Sequence, residues 1–381
     1  MSEKKTFPSY INFAPGEEAD EARRAWQGCP SVAVTRGGRL FAAWYTGGAL
    51  EPCIHNFNVL VVSDDRGESW SKPILTVLTD EATRTRNIDL QLWITEENHL
   101  WAMWTRSPYY ETSLPASLRN LQKADYHREF PETEVMVCLD PDADELVWET
   151  PRILCNGFMR NKPVRISTGR IIAPAYGYDD ERYMLRYSDD GGESFYDVAT
   201  AKKPAVHVFD ESMVWEARGR ISMLSRTNCG YYAYSESFDG GSSWSATSEY
   251  EAAPSTRFYM GVLRDGTVAY VRNVSDTART GMKLCLSTDG GETFPYTLVL
   301  DERTQVSYPD LCEDADGNIY IFYDRERDNR HHLNRETWIS EAAKEILVCR
   351  VRLEDVISGR LSESSFIART VSRGGMHFVE N

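Results

Sequence analysis

Carboxylates, a phenol and several guanidiniums fall where apolar runs begin or end, and these residue types do acid–base and anion chemistry. Glu211 precedes the run Ser212-Met213-Val214-Trp215, and Arg226 lies fifteen residues beyond Glu211. Tyr308 stands in Val306-Ser307-Tyr308-Pro309-Asp310, ahead of an Asp316-Gly317 turn. Arg257, Asp89 and Gln91 open other apolar runs, Arg279 lies in a polar stretch, and Glu51 is close to His55. A phenol is neutral until it attacks, and a nearby carboxylate can take its proton. Arginines hold a carboxylate through paired hydrogen bonds. A carboxylic acid can protonate a leaving oxygen. Each residue also has a plainer reading: Glu211 as a strand-end charge, Tyr308 as sheet packing, Arg279 and Glu51 as solvated loop residues. His331 and His332 are adjacent, a spacing that rarely chelates, with no third ligand nearby, so no metal and no cofactor is expected.

The elements that must position these residues announce themselves by repetition. One phrase, Ser-x-Asp-x-Gly-x-(Ser/Thr)-(Trp/Phe), occurs four times: Ser63 to Trp70, Ser188 to Phe195, Ser237 to Trp244 and Ser287 to Phe294. This is the Asp-box. Its Asp accepts hydrogen bonds from backbone N–H groups of its own turn. Its Gly supplies a positive φ, and its final aromatic packs between sheets. Nothing in the phrase needs a substrate, so these carboxylates are structural. The gaps between starts are 125, 49 and 50 residues. A period near 50 fits four short strands per repeat. The long first gap implies a repeat that lost its box, with its outer turn at Asp140 to Asp144. Asp-Gly and Gly-Gly turns between apolar runs mark inner hairpins near residues 37, 97, 168, 218, 266 and 316. Six blades follow, in one domain over residues 1–381. The last blade is expected to be completed by Ile346 to Arg352 and by the N-terminal segment, which closes the ring. Thr112 to Ala124 reads as a loop with a short helix. Arg325 to Lys344 reads as a polar insertion with a helix from Arg335.

Four Asp-boxes at blade spacing resemble the sialidase superfamily over nearly the whole chain. The resemblance implies an all-β, six-bladed β-propeller of the sialidase type with Asp-box turns. It also implies roles. Glu211 matches the Glu that opens an inner strand of the fourth blade, and Arg226 matches an Arg of the carboxylate-binding triad. Arg279, eight residues before Ser287, matches a second Arg. Tyr308 matches the tyrosine nucleophile, with Glu211 as its base; sialidases are the tyrosine exception to the two-carboxylate pattern. Glu51, twelve residues before Ser63, takes the place of the acid/base. Arg257, Asp89, Gln91 and His55 are candidate substrate contacts. The chain departs from the family at Trp26-Gln27-Gly28-Cys29-Pro30, where Gly28 stands in the position of the first triad Arg. Arg24, Arg165 or Arg257 would have to replace it. The implied function is an exo-acting glycoside hydrolase that removes a terminal acidic sugar, sialic acid or a relative. Two alternatives stay open. One is a lyase or glycosidase acting on uronate-containing oligosaccharides, which burial of His55 or His207 would favour. The other is a non-catalytic glycan-binding propeller.

Composition bounds the partners. With 381 residues and 41% hydrophobic content the chain can bury a core. The net charge of −16 argues against nucleic acid, because phosphate binding needs basic patches. It does not exclude an anionic sugar held by local arginines, so the expected partner is a carbohydrate substrate. No run reaches the roughly 18 apolar residues of a membrane helix, and the start of the chain has no apolar signal region. A cytoplasmic protein with scattered, reduced cysteines is the expectation, with a secreted one, its signal removed, as the open alternative. Oligomeric state is not legible.

Overall fold

The computed structural model describes residues 7–48, 51–111, 124–126, 131–177, 181–205, 211–326 and 344–374. His207, His331 and His332 lie outside them. So do the loop expected over Thr112 to Ala124, save Ala124 itself, which begins the strand Ala124–Tyr126, and the helix expected over Arg335 to Lys344, save Lys344.

The alternating apolar runs form successive antiparallel sheets, and each predicted inner turn joins two neighbouring strands. The first sheet runs Ile11–Asn12, Leu75–Val77, Asn56–Ser63, Leu40–Gly47, Gln27–Val34. The second has Thr85–Ile94 and Leu100–Glu111 paired, then Glu132–Cys138 and Arg152–Asn156. The third is centred on Ile171–Ala173 and Arg182–Ser188. The fourth, Ser212–Ala217 to Ser248–Ala252, and the fifth, Tyr259–Val262 to Tyr296–Thr304, are plain four-stranded meanders. The sixth runs Val306–Glu313, Asn318–Arg325, Glu345–Arg352, Phe366–Arg373. Its outer strand therefore comes from the C-terminal region, a correction to the expected N-terminal closure. The short helix Leu353–Ser358 ends at Gly359 in the left-handed conformation and returns the chain beside Glu345–Arg352. The two-residue strand Ile11–Asn12 instead pairs with Leu75–Val77.

The residues gather into two compact units. One comprises Met1–Ile153, Phe322–Val348 and Arg369–Asn381; the other comprises Leu154–Ile321 and Cys349–Ala368. In the first, Phe41, Leu60, Leu90, Leu100, Trp104 and Met136 share one core. In the second, Ile172, Leu185, Tyr187 and Val214 form one cluster, and Trp215, Leu224, Phe258, Met260 and Tyr270 another. Middle strands such as Leu40–Gly47 are buried at every position. They read as continuous apolar runs because both faces are covered.

The Asp-boxes are the outer turns. In the third, Ser237 Oγ donates to Asp239 Oδ1 (2.8 Å) and accepts from Gly241 N (3.0 Å), and Asp239 receives the amide and hydroxyl of Ser243 (2.9 and 2.6 Å). Gly241 has φ +86°, and a Cβ there would meet the Tyr187 hydroxyl at 2.6 Å. Glycine is required twice over, by conformation and by space.

Candidate active site

Three innermost strands carry a non-glycine residue in the left-handed region: Cys29 (φ 57°), Asp89 (φ 56°) and Tyr308 (φ 56°). The pairing register shifts around the first two, between Gly28 and Ser31 and between Ile88 and Gln91. Such residues cost about 1–3 kcal/mol each and re-aim a side chain. Two of the three are sequence candidates.

In the second unit, Glu211, Arg226 and Tyr308 come together. Ser212–Ala217 and Arg220–Ser225 pair as a hairpin, and the Arg226 amide donates to the Glu211 carbonyl (2.9 Å). The register of that hairpin therefore fixes both side chains at its open end. Arg226 Nη1 donates to Glu211 Oε1 and Oε2 (3.1 and 3.0 Å) and to the Tyr308 hydroxyl oxygen (3.2 Å). Arg226 Nε and Nη2 bond Ser255, at Oγ and the carbonyl (3.2 and 3.0 Å). Arg160 Nη1 reaches Glu211 Oε1 at 3.4 Å. The guanidinium carbon of Arg279 stands 5.5 Å from the centroid of the Tyr308 ring. Glu211 is 1% exposed and Tyr308 3%. Burial alone would raise the Glu211 carboxyl; the charges of Arg226 and Arg160 outweigh it and hold it at about 2.

A second network adjoins along the strand of Tyr308. Asp310 pairs with Lys162 Nζ (2.9 Å) and lies 3.8 Å from Arg257 Nη2. Arg257 Nε donates to Asn161 Oδ1 (2.7 Å), and Asn161 Nδ2 donates to the Ser212 carbonyl (2.7 Å). Arg257, a sequence candidate for substrate contact, is thus tied into a buried framework with Asn161 and Asp310.

In the first unit, Glu51 stands next to Asp89 and Cys29. One carboxylate oxygen of each acid and the Cys29 thiol lie within 4.8 Å of one another. Among the described residues this is the group whose donor atoms are close enough to hold a cation. Asp89 is buried, Glu51 half-buried, and the Cys29 amide donates to Asp324 Oδ2 (2.8 Å). Gln91 is buried and its Nε2 donates to the Asp89 carbonyl (3.3 Å). His55 is exposed. Arg24 is buried against the Trp44 ring, 5.5 Å from its centroid, and Arg165 is half-buried in the strand Val164–Arg165.

Sequence reasoning missed Arg160, Asp310 and Cys29. Arg160 directly precedes the Asn161-Lys162-Pro163 opening of the third blade, and its place before an inner strand was the available signal. Asp310, two residues past Tyr308, reads as turn polarity. Cys29 carries no sign beyond its place beside Gly28.

Residues 142–321 match the BNR repeat-like domain. No curated protein matches the sequence. Among solved structures the chain is similar to the intramolecular trans-sialidase of Ruminococcus gnavus, with 14% identity over 89% of this chain and 97% of that one, at a TM-score of 0.67. It is similar to the leech intramolecular trans-sialidase, with 14% identity over 90% and 70%, at 0.67. It is also similar to a protein of unknown function from Dyadobacter fermentans, with 16% identity over 84% and 95%, at 0.61. Residues 142–321 thus carry the BNR repeat-like match, and the chain has the β-propeller fold of the trans-sialidase structures it is similar to.

Proposed function

We propose that the protein is an exo-acting, sialidase-like glycoside hydrolase that releases a terminal acidic sugar, sialic acid or a relative, with retention. The observation that carries this reading is the single Arg226 nitrogen bonded to both the Glu211 carboxylate and the Tyr308 hydroxyl oxygen. The phenol oxygen attacks the anomeric carbon as the glycosidic bond breaks. Its proton passes to Glu211, and the leaving oxygen is protonated by Glu51, the acid/base by its place in the sequence. Water then displaces the tyrosine. A carboxylate nucleophile would be repelled by the substrate's own carboxylate; a phenol is not. A resting Glu211 at about 2 is a weak base. A substrate carboxylate that draws on Arg226 relaxes that hold and makes Glu211 more basic as attack begins. The Ruminococcus gnavus enzyme was solved with oseltamivir carboxylate, an anionic ligand consistent with an arginine-lined site.

A second reading keeps the chemistry and changes the sugar. Gly28 in the place of the first triad Arg favours an acidic sugar other than sialic acid, such as a uronate. The test is release from a fluorogenic α-sialoside by the parent, Tyr308→Phe and Glu211→Gln proteins. Release by the parent, reduced about 100-fold or more in both variants, supports the first reading. No release by folded parent, with turnover of a uronide, selects the second. No turnover of either by folded parent defeats both.

A further inference from the structure

Away from these residues, the first unit holds a cleft of about 380 Å³ beside the first Asp-box, a size suited to a small ligand. Two indole rings, Trp44 and Trp70, line it with Arg24, Lys72, Asp20 and Glu21. Arg24 is 4% exposed, yet its Nε and Nη1 make no hydrogen bond to any described residue, and neither does Trp70 Nε1. Buried donors are paired as a rule, and leaving one unmade is costly. The third Asp-box shows the paired alternative. Trp244, at the same place in the phrase as Trp70, donates its indole N–H to the Tyr187 hydroxyl (3.0 Å). Trp70 instead packs at right angles to Phe322 (centroids 5.3 Å apart), a ring with no oxygen or nitrogen to accept.

The acids of the cleft are held in place. Asp20 accepts from Lys72 Nζ (3.3 Å), and Glu21 accepts from Ser372 Oγ (3.2 Å) and the Arg373 amide (3.1 Å). Two cations face two carboxylates, so the lining has no net charge. An anionic ligand gains from Arg24 and Lys72 what it loses to Asp20 and Glu21. A sugar hydroxyl suits both halves, because it accepts from the Arg24 and Lys72 cations and donates to the acids. The C–H face of a pyranose packs on an indole ring.

We infer that this cleft is a second saccharide site, which holds a neutral hexose residue of a glycan through Trp70, Arg24 and Lys72 and takes no part in bond cleavage. It stands or falls independently of the role of Tyr308.

The experiment is saturation-transfer NMR with galactose, glucose, mannose and glucuronate on the full chain. Three variants accompany the parent. Trp70→Phe removes the indole N–H, and phenylalanine already ends two other boxes, at Phe195 and Phe294, so the turn tolerates it. Lys72→Ala changes a side chain that is 85% exposed, so folding is untouched. Tyr308→Phe is the control. The expected result is binding of at least one neutral hexose, weakened about fivefold or more by Trp70→Phe and by Lys72→Ala, and unchanged by Tyr308→Phe. Absence of binding by all three neutral hexoses, equal binding by the Trp70 and Lys72 variants, or a preference for glucuronate would overturn the inference.

Discussion

Arg226 Nη1 donates to the Tyr308 hydroxyl oxygen over 3.2 Å. The phenol oxygen is therefore an acceptor in this contact, and its own proton points elsewhere. The guanidinium supports negative charge on that oxygen, which is what an attacking phenolate needs. Because Nη1 also holds both oxygens of Glu211, one side chain sets the relative position of Tyr308 and Glu211.

Replacing Arg226 separates folding from chemistry. Arg226→Ala leaves Glu211 buried beside Arg160 alone, and losing one partner of a buried pair costs about 3–5 kcal/mol. Arg226→Lys keeps the charge but not the planar fork that reaches Ser255 as well. The Lys variant is expected to unfold in urea closer to the parent than the Ala variant, while both lose kcat/KM on an acidic glycoside by about 100-fold or more. A Lys variant with parental kcat/KM would remove Arg226 from the chemistry.

The depressed carboxyl of Glu211 has a signature in acid. Its folded value of about 2 lies below the ordinary 4.5. Its stabilisation is then complete above about pH 4.5 and is lost as pH falls through about 2. The urea midpoint of the parent should exceed that of Glu211→Gln by a constant margin from pH 7 down to about 4.5, then by a shrinking one. An acid limb above pH 4 in the kcat/KM profile, which reports the free enzyme, belongs to another group. A margin that shrinks between pH 7 and 5 would contradict the ion-pair account.

The blade sheets were legible because turn chemistry and apolar alternation act locally. Ser237 to Trp244 specifies its own turn through four short-range hydrogen bonds, and each inner turn sits between the runs it joins. Glu211 and Arg226 were legible for the same reason, since one hairpin register ties them. Arg160 and Asp310 were not. Arg160 meets Glu211 across 51 residues, and Asp310 meets Lys162 across 148, by subtraction of their positions. No local pattern encodes pairings at that separation. The outer strand of the sixth sheet was misassigned on similar grounds, because Phe366–Arg373 has a weak, half-exposed pattern that edge strands share with loops.

The Asp310 network is expected to hold the strand of Tyr308 in place rather than to touch substrate. Asp310→Asn removes the one carboxylate facing Lys162 and Arg257 in the contacts above and should cost about 3–5 kcal/mol. Adding Lys162→Met to it should recover part of that loss, a coupling of about 0.5–3 kcal/mol measurable by a double-mutant cycle in urea. Additive losses would mean that Lys162 and Asp310 do not act as a pair.

The Asp-box carboxylates give the opposite expectation from Glu211, although their acidity is shifted in the same direction. Asp239 is held down to about 2, mainly by the hydroxyl and amide of Ser243, and it sits in an exposed turn on the outer side of its sheet. A depressed pKa alone therefore does not mark a catalytic group, since a turn that satisfies its own amides produces it as well. Asp239→Ala should lower the melting temperature by a few degrees and leave kcat/KM on an acidic glycoside unchanged. Glu211→Gln should lower both. Thermal unfolding and steady-state rates on the two variants separate the roles, and a loss of kcat/KM in Asp239→Ala at full folding would show that the outer turns reach the chemistry after all.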